Sequence, residues 1–272
     1  MKPMLAHTSD KELSDYAKAD FYYFQVKFDG TRIIAEKQGN EVKLTNRRGV
    51  DKTKVFPEIT RALKTIPYNF KIDSEVVCDN DFRLLAQREH LKDQFKINLL
   101  ADNQPCDMIM FDLLSLQGKD FTKEQYSTRY FMLNSLIPKT ERTEIIANIT
   151  HEKAIEKLKD DDIEGIMLKD KDSIYEEGKR SKEWLKIKKS KTEEFKVIGY
   201  QKSDKEHRKI RCLELDKEGQ VVKVASGLTQ DDIQQILDKG THKLVAVVKY
   251  TTRHNLPYVE PRLVKLKWEG IK

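Results

Sequence analysis

Three cysteines among 272 residues leave little to staple a fold with. Cys78, Cys106 and Cys212 form no Cys-x-x-Cys pair, which argues against both a disulfide framework and a zinc ribbon. A reducing cytoplasm is the expected setting. Long apolar runs are also missing: none approaches the ~18 residues of a membrane span. The opening MKPMLAHTSD lacks the apolar core of a signal peptide. There is no internal repeat and no low-complexity linker. What is present is typical of a folded chain: 35% charged and 38% hydrophobic residues, with aromatics spread throughout. The length allows two ordinary domains.

Net charge is modest at +6, but its location is informative. Residues 182–211 hold eleven lysines and arginines against five acids, a surplus equal to that of the whole chain. A local basic stripe suits a polyanion, although a solvated lysine-rich face reads the same way.

Hydrophobic periodicity predicts helices near 9–19, 57–65, 81–93, 122–136 and 151–160, with Asp81 and Thr150 as N-caps. Strands are expected at 22–28, 31–37, 41–46, 71–78, 106–114, 143–149, 164–169 and 184–188. After about residue 190 the grammar changes. EFKVIGYQK, KIRCLELD and VVKVAS read as three strands, GLTQDDIQQILDKG as a helix capped by Thr229, and LVAVVKY and RLVKLKW as two more strands. That order suits an OB-fold, a small barrel often used on nucleic acids. The expected architecture is α+β: residues 1–189 with antiparallel sheets and helices, then an OB-fold β-barrel over 190–272.

Several segments carry chemistry. In FQVKFDGTRII, Asp29-Gly30 is a favoured two-residue hairpin turn. Phe28 would then face Thr31, and Lys27 would face Arg32 with Cβ atoms ~5 Å apart. Like charges set opposite one another invite an anion, though an exposed basic hairpin fits equally. Asp73 and Glu75 share one face of a strand. PCDMIMFDLL ends an apolar strand in Phe111-Asp112. Glu164-Gly165 stands at the mouth of a short apolar strand that contains Met167. Trp184, Lys186 and Lys188 alternate with Leu185 and Ile187. Each has a bland alternative as core or solvent face.

Their order is distinctive. Lys-Phe-Asp-Gly-Thr-Arg, Asp-Ser-Glu-Val, Met-Phe-Asp-Leu-Leu, Glu-Gly-Ile-Met-Leu-Lys and Trp-Leu-Lys-Ile-Lys follow one another along nearly the whole chain. This resembles the ATP-dependent DNA ligases of the covalent nucleotidyltransferase superfamily. LTNRRGVDKTKVFPEI, GKRSKEWLKIKK, FKVIGY, ASGLT and LPYVEPRLVKLKW also look ligase-like.

The resemblance implies an adenylation domain followed by the OB-fold, ATP as co-substrate with Mg²⁺ or Mn²⁺, and nicked duplex DNA as partner. Lys27 matches the nucleophile that becomes lysyl-AMP. Arg32 matches a residue that holds the nucleotide, Glu75 an acid serving ribose and metal, and Phe111 the aromatic stacked on adenine. Glu164 matches a metal-associated acid, Met167 the apolar contact on adenine's other side, and Lys186 and Lys188 the phosphate-binding pair. Arg47 matches an arginine at the nick phosphate. Arg48, Lys189 and Lys191 are further candidates for DNA contact. A lysine nucleophile is demanding, since an ordinary lysine of pKa about 10.4 carries a handicap of about 4.6 kcal/mol at neutral pH. Carboxylates nearby, such as Asp29 and Glu75, deepen that handicap, and a divalent metal reverses their field.

There are departures from the family pattern. Gln25 stands where glutamate is usual, and keeps a carbonyl acceptor for the adenine amine. The closing Arg262-Leu-Val-Lys-Leu-Lys-Trp-Glu has Lys265 and Lys267 where arginines are expected, which loses bidentate geometry. Only 26 residues precede Lys27, so a minimal enzyme is expected, its two domains closing round DNA unaided. With no heptad run, a monomer is expected, and no protein partner is indicated. A GTP-using capping guanylyltransferase, an RNA ligase and a non-catalytic OB-type binder are the alternatives.

Overall fold

The computed structural model describes residues 1–79, 81–160, 163–204, 208–253 and 256–269. The chain divides into two compact units, Met1–Lys188 and Lys189–Lys272. Among the described residues no helix is long and apolar enough to cross a membrane.

The first unit contains β1 (Leu5–Thr8), β2 (Tyr22–Lys27), β3 (Thr31–Gln38), β4 (Glu41–Asn46), α1 (Pro57–Lys64), β5 (Phe70–Val77), α2 (Phe82–His90), α3 (Gln94–Asn103), β6 (Asp107–Leu116), β7 (Lys119–Asp120), α4 (Tyr126–Leu136), β8 (Thr143–Ile145), α5 (His151–Lys157), β9 (Gly165–Asp170) and β10 (Arg180–Lys188). Two sheets form from these. One runs β1-β10-β9-β2; the other runs β4-β3-β5-β6-β7, with β8 parallel on β6. β1 is parallel to β10, and the other pairs are antiparallel.

Both faces of the larger sheet are covered. Ile33 and Ala35 belong to the core under α1, whereas Ile34 between them belongs to a second core with Phe111, Tyr126 and Trp184. β6 is accordingly buried without a break from Met108 to Leu114, the near-continuous apolar pattern of a doubly covered strand. The smaller sheet turns Phe24, Ile166, Leu168 and Ile187 outward against Leu13 and Ala154. Its other face carries polar side chains.

The second unit contains β11 (Lys191–Lys202), β12 (Ile210–Lys217), β13 (Gln220–Val224), α6 (Gln230–Lys239), β14 (Leu244–Arg253) and β15 (Leu256–Trp268). These strands form an open sheet, β13-β12-β11-β14-β15. Among the described residues no closed barrel is formed, in contrast to the expectation. The two ends of the order meet at a single bridge, Ser226 to Arg262, where Leu263 N donates to Ser226 O at 2.9 Å. Thr229 and Asp232 make the reciprocal capping box of α6.

Several local expectations change. The helix expected over 9–19 shrinks to a 3₁₀ turn, Leu13–Tyr16. Lys11 N donates to Ser9 Oγ, a local contact that competes with helix before the turn, and the Asp15 carboxylate accepts from Glu12 N in the capping box that starts it. The helix expected over 81–93 stops at His90, because Asp93 caps a new helix by accepting from Phe95 N and Lys96 N. α4 and α5 are shorter than expected. β1 was not anticipated, and β10 begins four residues before the expected 184. Within the basic stretch, Lys205 and Glu206 lie outside the described residues.

The largest correction concerns Asp29-Gly30. β2 and β3 are not a hairpin. β2 pairs with β9, and β3 pairs with β4 and β5, so the chain steps from one sheet to the other here. Neither Asp29 nor Gly30 has the positive φ that a type I′ turn requires. Gly30 is needed for a different reason: a Cβ there would lie 2.2 Å from the Val76 carbonyl oxygen.

Candidate functional site

The polar face of the smaller sheet is ordered by strand register. Gln25, Met167 and Lys186 stand abreast on β2, β9 and β10; the next row is Lys27, Gly165 and Lys188, and the row on the other side is Tyr23, Lys169 and Trp184. Gly165 leaves a gap between the two lysines, and a Cβ there would lie 2.1 Å from the Ile187 oxygen. Arg32, Asp73, Glu75 and Phe111 come from the larger sheet, in register or adjacent on β3, β5 and β6.

The two sets are joined by charge. Glu164 pairs with Lys27 and, at 3.0 Å, with Lys188. Its backbone N–H also donates to the Lys27 carbonyl. Burial would raise the Glu164 carboxyl, but the two lysines outweigh it and hold the group below the ordinary glutamate range. Burial lowers the Lys186 amine, and so do the Lys188 and Lys27 charges beside it. Glu75 behaves in the opposite way: desolvation pushes its carboxyl up to about 7, against the pull of Lys27 and Arg32. Lys27, Lys186 and Lys188 are therefore gathered round one firmly ionised carboxylate. The cluster is short of negative charge, as a phosphate-binding site is.

Arg32 does not face Lys27. Its Nε donates to Asp73 Oδ1 at 2.8 Å and its Nη2 to Oδ2 at 2.5 Å. Burial opposes the guanidinium charge, but Asp73 holds its pKa above the ordinary value. Tyr175 OH donates to the same carboxylate at 2.6 Å. Glu164 pairs with Lys27, and Glu75, one of the expected nearby carboxylates, also feels the Lys27 charge.

Phe111 is buried, with Arg32 Cζ 5.3 Å and Lys169 Nζ 4.0 Å from its ring centroid. Lys169, Tyr126 and Asn148 join the site without a sequence motif to mark them. Lys169 is almost fully buried among Phe111, Tyr126 and Trp184. Desolvation lowers its amine to about 7 despite Asp112 and Asp73. Only the alternation along β9 could have flagged it: Lys169 follows Met167 on the same face.

Gln25 is fully buried. Its Nε2 donates to Tyr126 OH at 2.9 Å and to Asn148 Oδ1 at 2.8 Å, while its Oε1 has no partner. Arg47 and Arg48 are exposed on the turn after β4, where the Arg48 backbone N donates to Asn46 Oδ1. Lys189 and Lys191 open the second unit, Lys191 exposed and paired in register with Tyr250.

Among the described residues no group of three or more His, Cys, Asp or Glu could hold a metal ion. Glu75 and Glu164 do sense one another's charge. Two carboxylates fit Mg²⁺ when substrate phosphates and water complete its shell, and do not fit an all-protein cage.

Comparison with known proteins gives this geometry a family. The chain is 34% identical over 200 residues to the bifunctional non-homologous end joining protein LigD of Bacillus subtilis (strain 168), a match covering 65% of this chain and 33% of that one. It is 27% identical over 239 residues to the probable DNA ligase of Aquifex aeolicus (strain VF5), covering 78% and 41%. The chain thus spans less than half the length of these curated relatives. The ligase domain of M. tuberculosis LigD superposes with a TM-score of 0.60 at 22% identity, over 100% of this chain and 95% of that one. A Lig E DNA ligase superposes at 0.68 and 17%, over 98% and 99%. At these identities the structures speak for the fold alone. The family model described as "ATP dependent DNA ligase domain" matches residues 3–188, more than half of the sequence, and the chain belongs to that family.

Proposed function

We propose that this protein is an ATP-dependent DNA ligase that seals 5′-phosphate/3′-hydroxyl nicks, with Lys27 as the nucleophile. The observation that carries the reading is the charge-deficient cluster: Lys27, Lys186 and Lys188 around Glu164, in a chain of the ligase family.

In the first step the neutral Lys27 amine attacks the α-phosphorus of ATP. An N–P bond forms, the P–O bond to pyrophosphate breaks, and the amine proton departs to solvent. Lys186 and Lys188 balance charge on the phosphate oxygens, which is where in-line phosphoryl transfer needs it. Glu164 holds the Lys27 and Lys188 side chains together before nucleotide arrives. Phe111 and Met167 sandwich the adenine, Gln25 accepts from its amine, and Arg32 and Glu75 serve the nucleotide from the opposite sheet. In the second step the 5′-phosphate at the nick attacks the adenylate and frees Lys27. In the third the 3′-hydroxyl attacks and AMP leaves. Glu75 and Glu164 would hold Mg²⁺ or Mn²⁺, which when bound supplies Lewis-acid polarisation of the phosphates.

On this reading residues 1–189 are the adenylation domain. Residues 190–272 are an OB-type module, supported by the three-strand, helix, two-strand order and by the Ser226–Arg262 bridge between the ends of the sheet. Arg47, Arg48, Lys189 and Lys191 contact DNA. The protein works as a cytoplasmic monomer.

The test is covalent labelling with ATP carrying label on the α-phosphate. Label is expected on the protein, absent from Lys27→Ala and abolished by chelating divalent metal; the labelled protein should then join a nicked duplex. Label that survives Lys27→Ala would overturn the reading, as would label taken from GTP in preference to ATP.

A further inference from the structure

Gln25 has an amide with two different ends, and only one of them suits a nucleobase amine. We infer that Tyr126 and Asn148 are the residues that fix which end is offered, and so select a purine bearing a 6-amino group over one bearing a 6-oxo group. This rests on the nucleotide site proposed above.

The argument starts from the Tyr126 hydroxyl. It has one proton, and that proton goes to the Phe111 carbonyl oxygen at 2.8 Å. A carbonyl can only accept, so the direction of this bond is settled. The hydroxyl can therefore only accept from its other neighbours. Lys169 Nζ donates to it at 3.2 Å. Gln25, at 2.9 Å, must do the same, which places its Nε2 there and not its oxygen. Asn148 Oδ1 takes the second amide proton at 2.8 Å. Both protons of Nε2 are then committed, and Oε1 is left as a fully buried acceptor with no donor.

A buried acceptor without a donor is costly, and a ligand that supplies one recovers the cost. Gln25 stands in register with Met167, one row from Lys27, and the same hydroxyl is anchored to the backbone of Phe111. An adenine held by Phe111 and Met167 brings its amine to this oxygen. A hypoxanthine or guanine brings a carbonyl, which meets another acceptor. An amide free to turn would present N–H to that carbonyl and erase the distinction. Tyr126 and Asn148 are positioning residues, since they act through Gln25 and touch no substrate.

The test compares labelling of the protein by α-labelled ATP and ITP, which differ in the 6-substituent and in the proton that the 6-oxo base carries on N1. The wild type should favour ATP strongly, as polar sites reject a mismatched partner. In Tyr126→Phe the ratio should fall by about tenfold or more, through loss of one partner that orients the amide. Adding Gln25→Glu to Tyr126→Phe should restore it, because both carboxylate oxygens accept and no orientation is needed. Asn148→Ala should move the ratio in the same direction, and it carries the test if a melting curve shows that Tyr126→Phe does not fold. An unchanged ratio overturns the inference while leaving the ligase reading intact. So does a fall that Gln25→Glu does not restore, since that marks damage and not orientation. A wild type labelled equally by ATP and ITP also overturns it. A wild type that takes no label at Lys27 removes the parent reading and this inference together.

Discussion

Lys169 shows how far a single side chain can depart from its usual setting. It lies beneath three aromatic rings, near Asp73 and Asp112, and Asp112 is already held by a fully buried bidentate pair with Arg129. Burial lowers the folded-state amine from 10.5 to about 7. In the unfolded chain the amine keeps its proton up to its ordinary value. Between those two limits the unfolded state holds more protons than the folded state, so stability must rise with pH across about 7 to 10.5. Lys169→Met removes that titration. Urea unfolding of both proteins at a series of pH values should show the wild type gaining on the variant through this window. Parallel curves would show that the amine keeps an ordinary affinity for protons. Glu75 works in the other sense: its raised carboxyl binds a proton more tightly when folded, so its contribution falls as pH climbs from 4.5 to about 7.

At the scale of the element, the crossing between β2 and β3 organises the first unit. Asp29-Gly30 carries the composition of a hairpin turn, yet its flanking strands belong to different sheets. Gly30 is there because the Val76 backbone passes close by. Gly30→Ala would put a methyl group 2.2 Å from that carbonyl oxygen, with Glu75 Cγ at 2.9 Å. Backbone cannot yield as a side chain tip can, so the cost should be at least that of overpacking, about 1–3 kcal/mol. In a domain of this size that is a fall in Tm of roughly 2–12 °C. Calorimetry checks it, and an unchanged Tm would mean that β3 and β5 part readily enough to admit the methyl group. The same elements show what could be read from sequence. The alternation of Gln25 and Lys27 and of Lys186 and Lys188 is legible, and so are the faces they share. Which strand lies beside which is not, because period-two patterning names a face and not a neighbour. Lys27 was matched with Arg32 across a turn, when its partner, Glu164, comes from a segment over a hundred residues away. The helix α3 was missed because Phe95 and Leu99, one turn apart, point to solvent and blur the apolar stripe. Ser226 and Arg262 meet through a single bridge, which no periodicity announces.

For the molecule as a whole, the distribution of charge matters more than its sum. A net +6 on 272 residues is a weak field if spread evenly. Here the surplus equals that of residues 182–211, the stretch in which the first unit ends and the second begins. On the proposed reading, lysines in this stretch serve two purposes that have different salt signatures. Lys186 and Lys188 are part-buried beside Glu164, and such pairs are poorly screened. Lys191 is exposed and has no ion pair among the described residues, so the DNA contact proposed for it would act through counterion release. Each phosphate neutralised adds about −0.9 to the slope of log K against log salt, and a grip on about six phosphates weakens roughly 10³-fold between 50 and 200 mM. Binding of nicked duplex, measured in Lys27→Ala to prevent turnover, should fall at about that rate. Replacing Lys189 and Lys191 by glutamate should flatten the slope by about 2. Adenylation of Lys27 by ATP, assayed without DNA, should scarcely change in the same double variant. A slope that keeps its wild-type value would move the DNA contact elsewhere on the surface, whereas loss of adenylation would tie these two lysines to the nucleotide.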